Sequence, residues 1–403
     1  MKKTMDDFLS SRLKDNCCGC GSCALTCPRG CITMRENAEG FLYPELDATA
    51  CISCGLCERS CPQLGRMEGK NNANDGMEFY AVQINNAGVL KNSASGGVFA
   101  ELALDVLADG GVVFGSAMVG KTAKHIKVTS INHLADLQGS KYVYSELGNT
   151  FVEVKMELEL GKRVLFSGVP CQVAALRSFL KKDYDNLVTI DLICHGTPSP
   201  KLFNKYMEWL EKKEGAEVNA YRFRDKSKNG WGLCGSYVVR NRKKFIYPEV
   251  DPYYASFLRG DTYRKTCYTC LYSNLSRVGD FTLGDFWGVD RRCENIGIAI
   301  EDGVSLCILN TPKAKEIFAR LKDHLSFYSL DRETACRNNG NLVHSTSPRS
   351  IRNEIYEDFG RLDFDALQKR YLHHETIFSY YVKRIRRRLI PKKIRDFLMG
   401  LVR

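Results

Sequence analysis

Cys17-Cys18-Gly19-Cys20-Gly21-Ser22-Cys23-Ala24-Leu25-Thr26-Cys27-Pro28 and Cys51-Ile52-Ser53-Cys54-Gly55-Leu56-Cys57-Glu58-Arg59-Ser60-Cys61-Pro62 fit one template, C-x2-C-x2-C-x3-C-P. Cys18 alone falls outside the register. Three thiolates two residues apart wrap three corners of an iron–sulfur cube, and the fourth, turned away by proline, reaches a second cube. The spacing therefore predicts two 4Fe–4S clusters. Cys17, Cys20, Cys23 and Cys61 hold the first, and Cys51, Cys54, Cys57 and Cys27 the second. Structural zinc also uses C-x2-C pairs, but it needs four ligands and has no use for a duplicated run ending in proline. Gly19, Gly21, Ser22, Ser53 and Gly55 are small enough for backbone N–H groups to approach the sulfurs.

Outward from this head, the remaining thiols are sparse. Of 18 cysteines, ten lie between Cys17 and Cys61 and eight are spread over the rest of the 403 residues. That distribution excludes a uniform disulfide framework. No apolar signal segment is apparent in residues 1–16, so the thiols are expected to stay reduced in a cytoplasmic setting. No run of 18 apolar residues exists to span a bilayer. Net charge is +11, yet residues 383–403 hold nine basic residues and one acid, leaving +3 for everything before them. A nearly neutral body with a basic tail is not a nucleic-acid-binding domain.

The expected organisation is a lead at 1–14, a two-cluster ferredoxin domain at 15–64 and a polar linker at 65–78. A body in two parts follows, at 79–160 and 161–345, and then a helical basic tail at 346–403. In the body, strands are expected at 79–84, 112–119, 163–166 and 188–193, and helices at 96–107, 149–160, 172–180 and 199–212. This alternation argues an α/β (α+β) multi-domain chain, with a more strand-rich part from 218 to about 310.

Several loops carry chemistry by composition. Ser93-Ala94-Ser95-Gly96-Gly97 precedes a helix, where hydroxyls, glycines and free N–H groups favour a phosphate; an ordinary helix cap is the more common explanation. Gly139-Ser140-Lys141-Tyr142 puts a cation and a ring beside a glycine. Gly168 ends a strand that turns into a helix through Pro170-Cys171, the place where α/β sheets bind ligands. Cys194-His195-Gly196 ends the next strand, and Cys267 and Cys270 form a further pair.

Residues 79 to about 312 resemble the beta-subunit family of coenzyme F420-reducing hydrogenases and F420-linked dehydrogenases. The likeness rests on Ser93 to Gly97, Gly139 to Val143, Ser167 to Gln172, and Cys194-His195-Gly196 with Ser199-Pro200. It continues through Phe223 to Lys226 with Gly230-Trp231, the Cys267/Cys270 pair, and Gly284-Asp285-Phe286-Trp287-Gly288. The resemblance implies an FAD contacted by Ser95, Gly96, Gly97, Ser140 and Lys141, with Ser93, Gly139 and Gly168 beside them. It also implies a third 4Fe–4S cluster on Cys171, Cys194, Cys267 and Cys270. The residues alone leave that cage open: Cys171 and Cys194 also fit as buried apolar thiols, and Cys267/Cys270 as a lone redox or zinc pair, with Cys293 the substitute ligand. Cys18, Cys31, Cys234, Cys307 and Cys336 are read as structural or incidental thiols.

Lys141 and His195 are the candidate catalytic residues; beside a cluster ligand, His195 serves either as a proton relay or as a backbone hydrogen-bonding group. The implied activity is an iron–sulfur flavoprotein oxidoreductase that exchanges a hydride at FAD and passes single electrons through its clusters to or from a redox partner protein or small ferredoxin. The hydride partner is a deazaflavin such as coenzyme F420 or another donor or acceptor, and bacterial polysaccharide biosynthesis is one setting. The alternative is a non-catalytic electron-transfer subunit of a larger complex. A basic amphipathic tail also fits an anionic membrane surface, which would place the protein peripherally at the inner membrane face.

Overall fold

The computed structural model describes residues 15–64, 76–289, 295 and 297–389. Cys293 and the segment from 390 onward, which includes Pro391 and most of the expected second half of the tail, lie outside the described residues.

The head is two copies of one short motif. Helices Ser22–Thr26 and Leu56–Arg59 each start at a glycine two residues before a cysteine, and Gly21 and Gly55 both have positive φ, 75° and 69°. A side chain there would be strained, so the cluster spacing is also a backbone requirement. Strands β1 (Ile32–Glu36) and β2 (Leu42–Leu46) pair antiparallel to form a hairpin that the spacing of thiols did not announce.

The body is built on β3 (Glu78–Ile84), β4 (Val112–Val119), β5 (Thr122–Val128), β6 (Val164–Gly168), β7 (Leu187–Leu192), β11 (Phe281–Asp285), β12 (Ser305–Leu309) and β13 (Leu325–Leu330). They form one eight-stranded sheet in the order β13-β3-β12-β11-β7-β6-β4-β5. The expected strands sit within a residue or two of these. β4, β6, β7 and β11 run parallel, while β5, β12 and β13 pair antiparallel with their neighbours. β6 and β12 are buried at every position, as continuous apolar strands covered on both faces must be. β5 alternates and lies at the edge.

Odd and even positions of the central strands feed two different cores. Val113, Leu165 and Val188 pack with helix Val98–Ala108 on one face. Val112, Phe114, Val164 and Phe166 pack with helices Thr150–Glu159 and Pro170–Leu180 on the other. Cys18 and Cys20 of the head belong to that second core.

The strand-rich part is not a unit of its own. β8 (Val218–Arg222), β9 (Gly235–Val239) and β10 (Arg242–Ile246) make a separate three-stranded sheet, but β11 and β12 return to the middle of the large one. A mostly aromatic core joins the small sheet to helices Pro200–Glu214 and Pro252–Arg259, to the later helices Ile351–Asp358 and Phe364–Arg370, and to Phe41 of the head. The helical tail expected over 346–403 is not continuous: Tyr371 turns inward, its hydroxyl donating to Asp358 at 2.6 Å, and helix Ile377–Leu389 starts afresh.

Candidate iron–sulfur and cofactor site

The parallel strands all end on one edge of the sheet, and the sequence motifs gather there. β6 ends at Gly168, and the chain turns through Val169 into a helix whose first residues are Pro170 and Cys171. Proline at the first helical position needs no N–H partner and holds the preceding residue extended. β7 ends at Leu192, two residues before Cys194. Cys267 lies in the 3-10 turn Lys265–Thr269, capped by Cys270.

The result is one cavity of about 470 Å³ lined by Cys171, Cys194, Cys267 and Cys270, together with His195, Gly196, Arg264 and, from the head, Cys18 and Gln63. Four thiols separated by up to a hundred residues in sequence thus surround one space. A second cavity, of about 310 Å³, is lined by Cys27, Cys51, Cys54 and Cys57 within the head. Cys31 lines it too, its Sγ 3.3 Å from that of Cys27. Cys17 and Cys61 pack together beside Tyr43.

Among the described residues, no three His, Cys, Asp or Glu side chains converge as a single-ion site would require. Backbone N–H groups two residues on donate to sulfur in the same way at three thiols. Gly19 N–H reaches Cys17 at 3.3 Å, Ser53 N–H reaches Cys51 at 3.4 Å, and Tyr272 N–H reaches Cys270 at 3.4 Å. Burial pushes the Cys267 thiol up to about 11 and the Cys61 thiol up to about 12. A thiolate in such a place needs a compensating metal, and binding one releases the proton.

The head is docked rather than hung on a tether. Tyr144 and Tyr272 donate their phenol protons to the carbonyls of Gly19 and Pro62 at 2.9 and 2.6 Å. Arg352 grips Glu39 through two bonds of 3.0 and 2.6 Å.

The other motifs converge a short way along the same sheet edge, around Arg224. Its guanidinium donates to both oxygens of Asp285 at 3.0 and 3.3 Å, to the Tyr142 hydroxyl at 3.2 Å and to the Ala94 carbonyl at 3.1 Å. Trp231 Nε1 donates to the same carboxylate at 2.8 Å, and its ring stacks on Trp287 with centroids 5.0 Å apart. Gln138 bonds Ser93 Oγ at 2.9 Å, tying the Ser93–Gly97 and Gly139–Lys141 loops together.

Within those loops the polar groups are already engaged. Ser93 Oγ donates to Val89 O and Ser95 Oγ to Val304 O. Gly96 is forced by packing: a Cβ would lie 2.1 Å from the Val82 carbonyl oxygen. Gly97 starts its helix at φ 85°. Lys141 Nζ donates to the carbonyls of Asp136, Leu137 and Gln138, closing the end of the short helix Leu134–Leu137, and burial brings its pKa down to about 7. Gly139 has φ 81° with nothing near its missing Cβ, and Ser140 is half-buried. Gly168 faces the side chains of Phe166 and Gln172. The Lys141 ammonium and the Ser93 and Ser95 hydroxyls therefore serve the protein's own backbone in this geometry. The His195 carbonyl accepts from Thr346, and its ring sits at the cavity wall, held toward the neutral form by its surroundings and drawn the other way by Asp285.

Cys18, Cys31 and Arg264 are among the lining residues with little or no mark in the sequence. Cys18 and Cys31 fall outside the cluster register, and the only signal for them was proximity in sequence to ligands. Arg264 stands three residues before Cys267, with nothing in its neighbours to mark it.

A thiol-rich head seated on a doubly covered mixed sheet defines an iron–sulfur protein of the redox class. Residues 16–64 match the model of the 4Fe–4S dicluster domain, and residues 161–332 that of the C-terminal part of the coenzyme F420 hydrogenase/dehydrogenase beta subunit. Residues 161–332 therefore carry the C-terminal domain of the coenzyme F420 hydrogenase/dehydrogenase beta-subunit family, and the head is a 4Fe–4S dicluster domain. The chain is 28% identical over 255 residues to one of the subunits of the F(420)H(2) dehydrogenase of Methanosarcina mazei, covering 55% of this chain and 70% of that one. The head alone is 37% identical over 60 residues to the PorD subunit of pyruvate synthase from Methanothermobacter marburgensis, covering 15% of this chain and 60% of that relative. A chain of the F420-reducing [NiFe] hydrogenase complex from Methanosarcina barkeri superposes with a TM-score of 0.42 at 16% identity, over 73% of this chain and 91% of that one.

Proposed function

We propose that this protein is an iron–sulfur oxidoreductase subunit that carries single electrons along three 4Fe–4S clusters. The outer head site is Cys27, Cys51, Cys54 and Cys57, the inner head site Cys17, Cys20, Cys23 and Cys61, and the junction site Cys171, Cys194, Cys267 and Cys270. The observation that carries the reading is the junction cavity. Its four thiols come from three separate elements of the body, and the head's Cys18 lines the same wall. The two tyrosine straps hold the inner site against that wall.

The head also resembles the PorD subunit of pyruvate synthase, so a partner exchanging electrons at the outer site fits the reading. The family match supports a deazaflavin partner, and FAD is carried over from the resemblance of the motifs that converge on Arg224. Bound there, FAD would take up a hydride's two electrons and release them singly to the clusters. The chain's own contributions are the stacked Trp231–Trp287 surface for a planar ring, the Arg224–Asp285 pair fixing both loops, and His195 between that surface and the junction thiols. Lys141 acts through the loop it closes, as a positioning residue.

Anaerobic purification with iron, sulfide and flavin analysis tests this. The expected content is about twelve irons from three cubes, with one FAD. About four irons without flavin would end the reading. Assays with reduced deazaflavin and with reduced ferredoxin then separate an enzyme from a carrier: full cofactor content with no turnover favours the non-catalytic electron-transfer subunit.

A membrane surface is a second partner with its own observation. Helix Ile377–Leu389 meets the body through Tyr380, whose ring lies 4.9 Å from that of Tyr247, and through Arg384. Its apolar side faces outward instead, with Phe378 76% and Ile385 57% exposed beside Ile377 and Tyr381. An apolar stripe beside Lys383 and Arg384 fits an anionic bilayer surface. Phe378→Glu with Ile385→Glu is expected to abolish sedimentation with phosphatidylglycerol vesicles, and unchanged binding would end this assignment.

A further inference from the structure

Four arginines are buried among the described residues, and three have a carboxylate. Arg277 pairs with Asp191 at 2.6 Å, Arg352 with Glu39 at 2.6 Å and Arg224 with Asp285 at 3.0 Å. The fourth, Arg264, is 1% exposed and makes no ion pair among the described residues. Its Nε donates to the Cys17 carbonyl at 2.5 Å and its Nη2 to the Leu42 carbonyl at 2.6 Å. The guanidinium lies over the rings of Tyr43 at 4.1 Å and Phe41 at 5.2 Å. Its Nη1 is buried without a hydrogen-bond partner and sits 2.6 Å from where a Gly19 Cβ would be, inside the Cys17–Cys20 turn. The same side chain lines the cavity of Cys171, Cys194, Cys267 and Cys270.

A buried cation is retained only where an anion balances it. Carbonyl dipoles and ring faces offset part of the charge but are not a counter-ion. Arg264 touches the Cys17–Cys20 turn on the head and lines the cavity of the four junction cysteines, and a cube bound by four thiolates carries net negative charge. We propose that Arg264 is the counter-ion shared by the inner head cluster and the junction cluster, and that it raises the reduction potential of both. This rests on the three-cluster reading. The physical reason is that reduction adds a negative charge beside a fixed, desolvated positive one. Among the described residues the outer site has no equivalent: its arginines, Arg29 and Arg59, are exposed and screened by water. Electrons arriving at the outer cluster would then settle toward the junction.

The test uses the full chain, purified anaerobically, with Arg264→Gln and Arg264→Lys beside the parent, iron counting and an EPR-monitored redox titration. With full iron, Arg264→Gln is expected to lower the reduced-to-oxidised ratio of the inner and junction clusters at least tenfold at a fixed potential, about 59 mV for one electron. The outer cluster should stay put. Unchanged potentials at full iron content, or an equal shift in all three clusters, overturn the proposal. If Arg264→Gln loses iron, Arg264→Lys decides: restored iron shows that the charge is what matters, whereas an equally depleted lysine variant overturns it. A parent protein with fewer than three clusters would instead count against the three-cluster reading and leave the inner-cluster potential to be tested.

Discussion

The outer and junction thiol sites differ in how they are made. The outer one is written within 31 residues of chain, from Cys27 to Cys57, and Cys54 is exposed at its rim. The junction one draws Cys171 from a helix start, Cys194 from beyond a strand end and Cys267/Cys270 from a short turn, with a wall from the head. Local spacing suffices for the first. The second exists only once the sheet has formed and the head has docked, so its stability is that of the whole fold.

That contrast can be broken most directly by removing one thiol from each site. Cys194→Ser is expected to lose the junction cluster, about four irons, and to lower the thermal midpoint by loosening the head. Cys54→Ser should lose as much iron with little change in the midpoint; equal midpoints for the two variants would erase the distinction. Next comes the strap. Arg352→Ala leaves Glu39 half-buried without its partner, and about 4 kcal/mol of unfolding free energy should go, read from urea midpoints.

A buried histidine on the inner side sharpens the comparison through pH. His125 accepts at Nδ1 from Ser145 and donates from Nε2 to the Ser167 carbonyl, and burial brings its pKa down to about 4 from 6.5. The folded protein keeps this ring neutral while the unfolded chain takes up a proton below pH 6.5. Stability should therefore fall as pH drops from about 6.5 to 4, by about 3 kcal/mol in total, and be unaffected above. A urea series showing the same pH slope in His125→Gln would rule this out. The smallest effect belongs to the head's surface: Arg35→Ala breaks an ion pair with Glu45 that is 70% and 66% exposed, and should cost no more than about 0.5 kcal/mol.

Legibility in the sequence follows the same division. The head's thiols and glycines announced themselves because their constraints are local. The central strands were legible as apolar runs, but their partners were not: nothing in residues 78–84 says that they will lie between 305–309 and 325–330. Pairings over that separation are settled by the packing of the whole sheet. The four junction cysteines were reached through motif order rather than spacing. Arg264 was missed because a buried unpaired arginine has no local signature. At Gly96 and Gly97, where an ordinary helix cap is the commoner reading beside a phosphate loop, close packing and a left-handed turn require the glycines. Cys31 looked incidental until the hairpin placed it against Cys27.

The wide separation of the junction thiols also sets a timetable. Cys61 leaves the ribosome some tens of seconds before Cys270, at roughly 5–20 residues per second, and β13 follows later still. The head's cysteine loops are thus complete while the body segments that will cover Cys18 and Cys20 have yet to be synthesised. Chain order alone therefore makes the whole head available before the junction that seats it on the body can close.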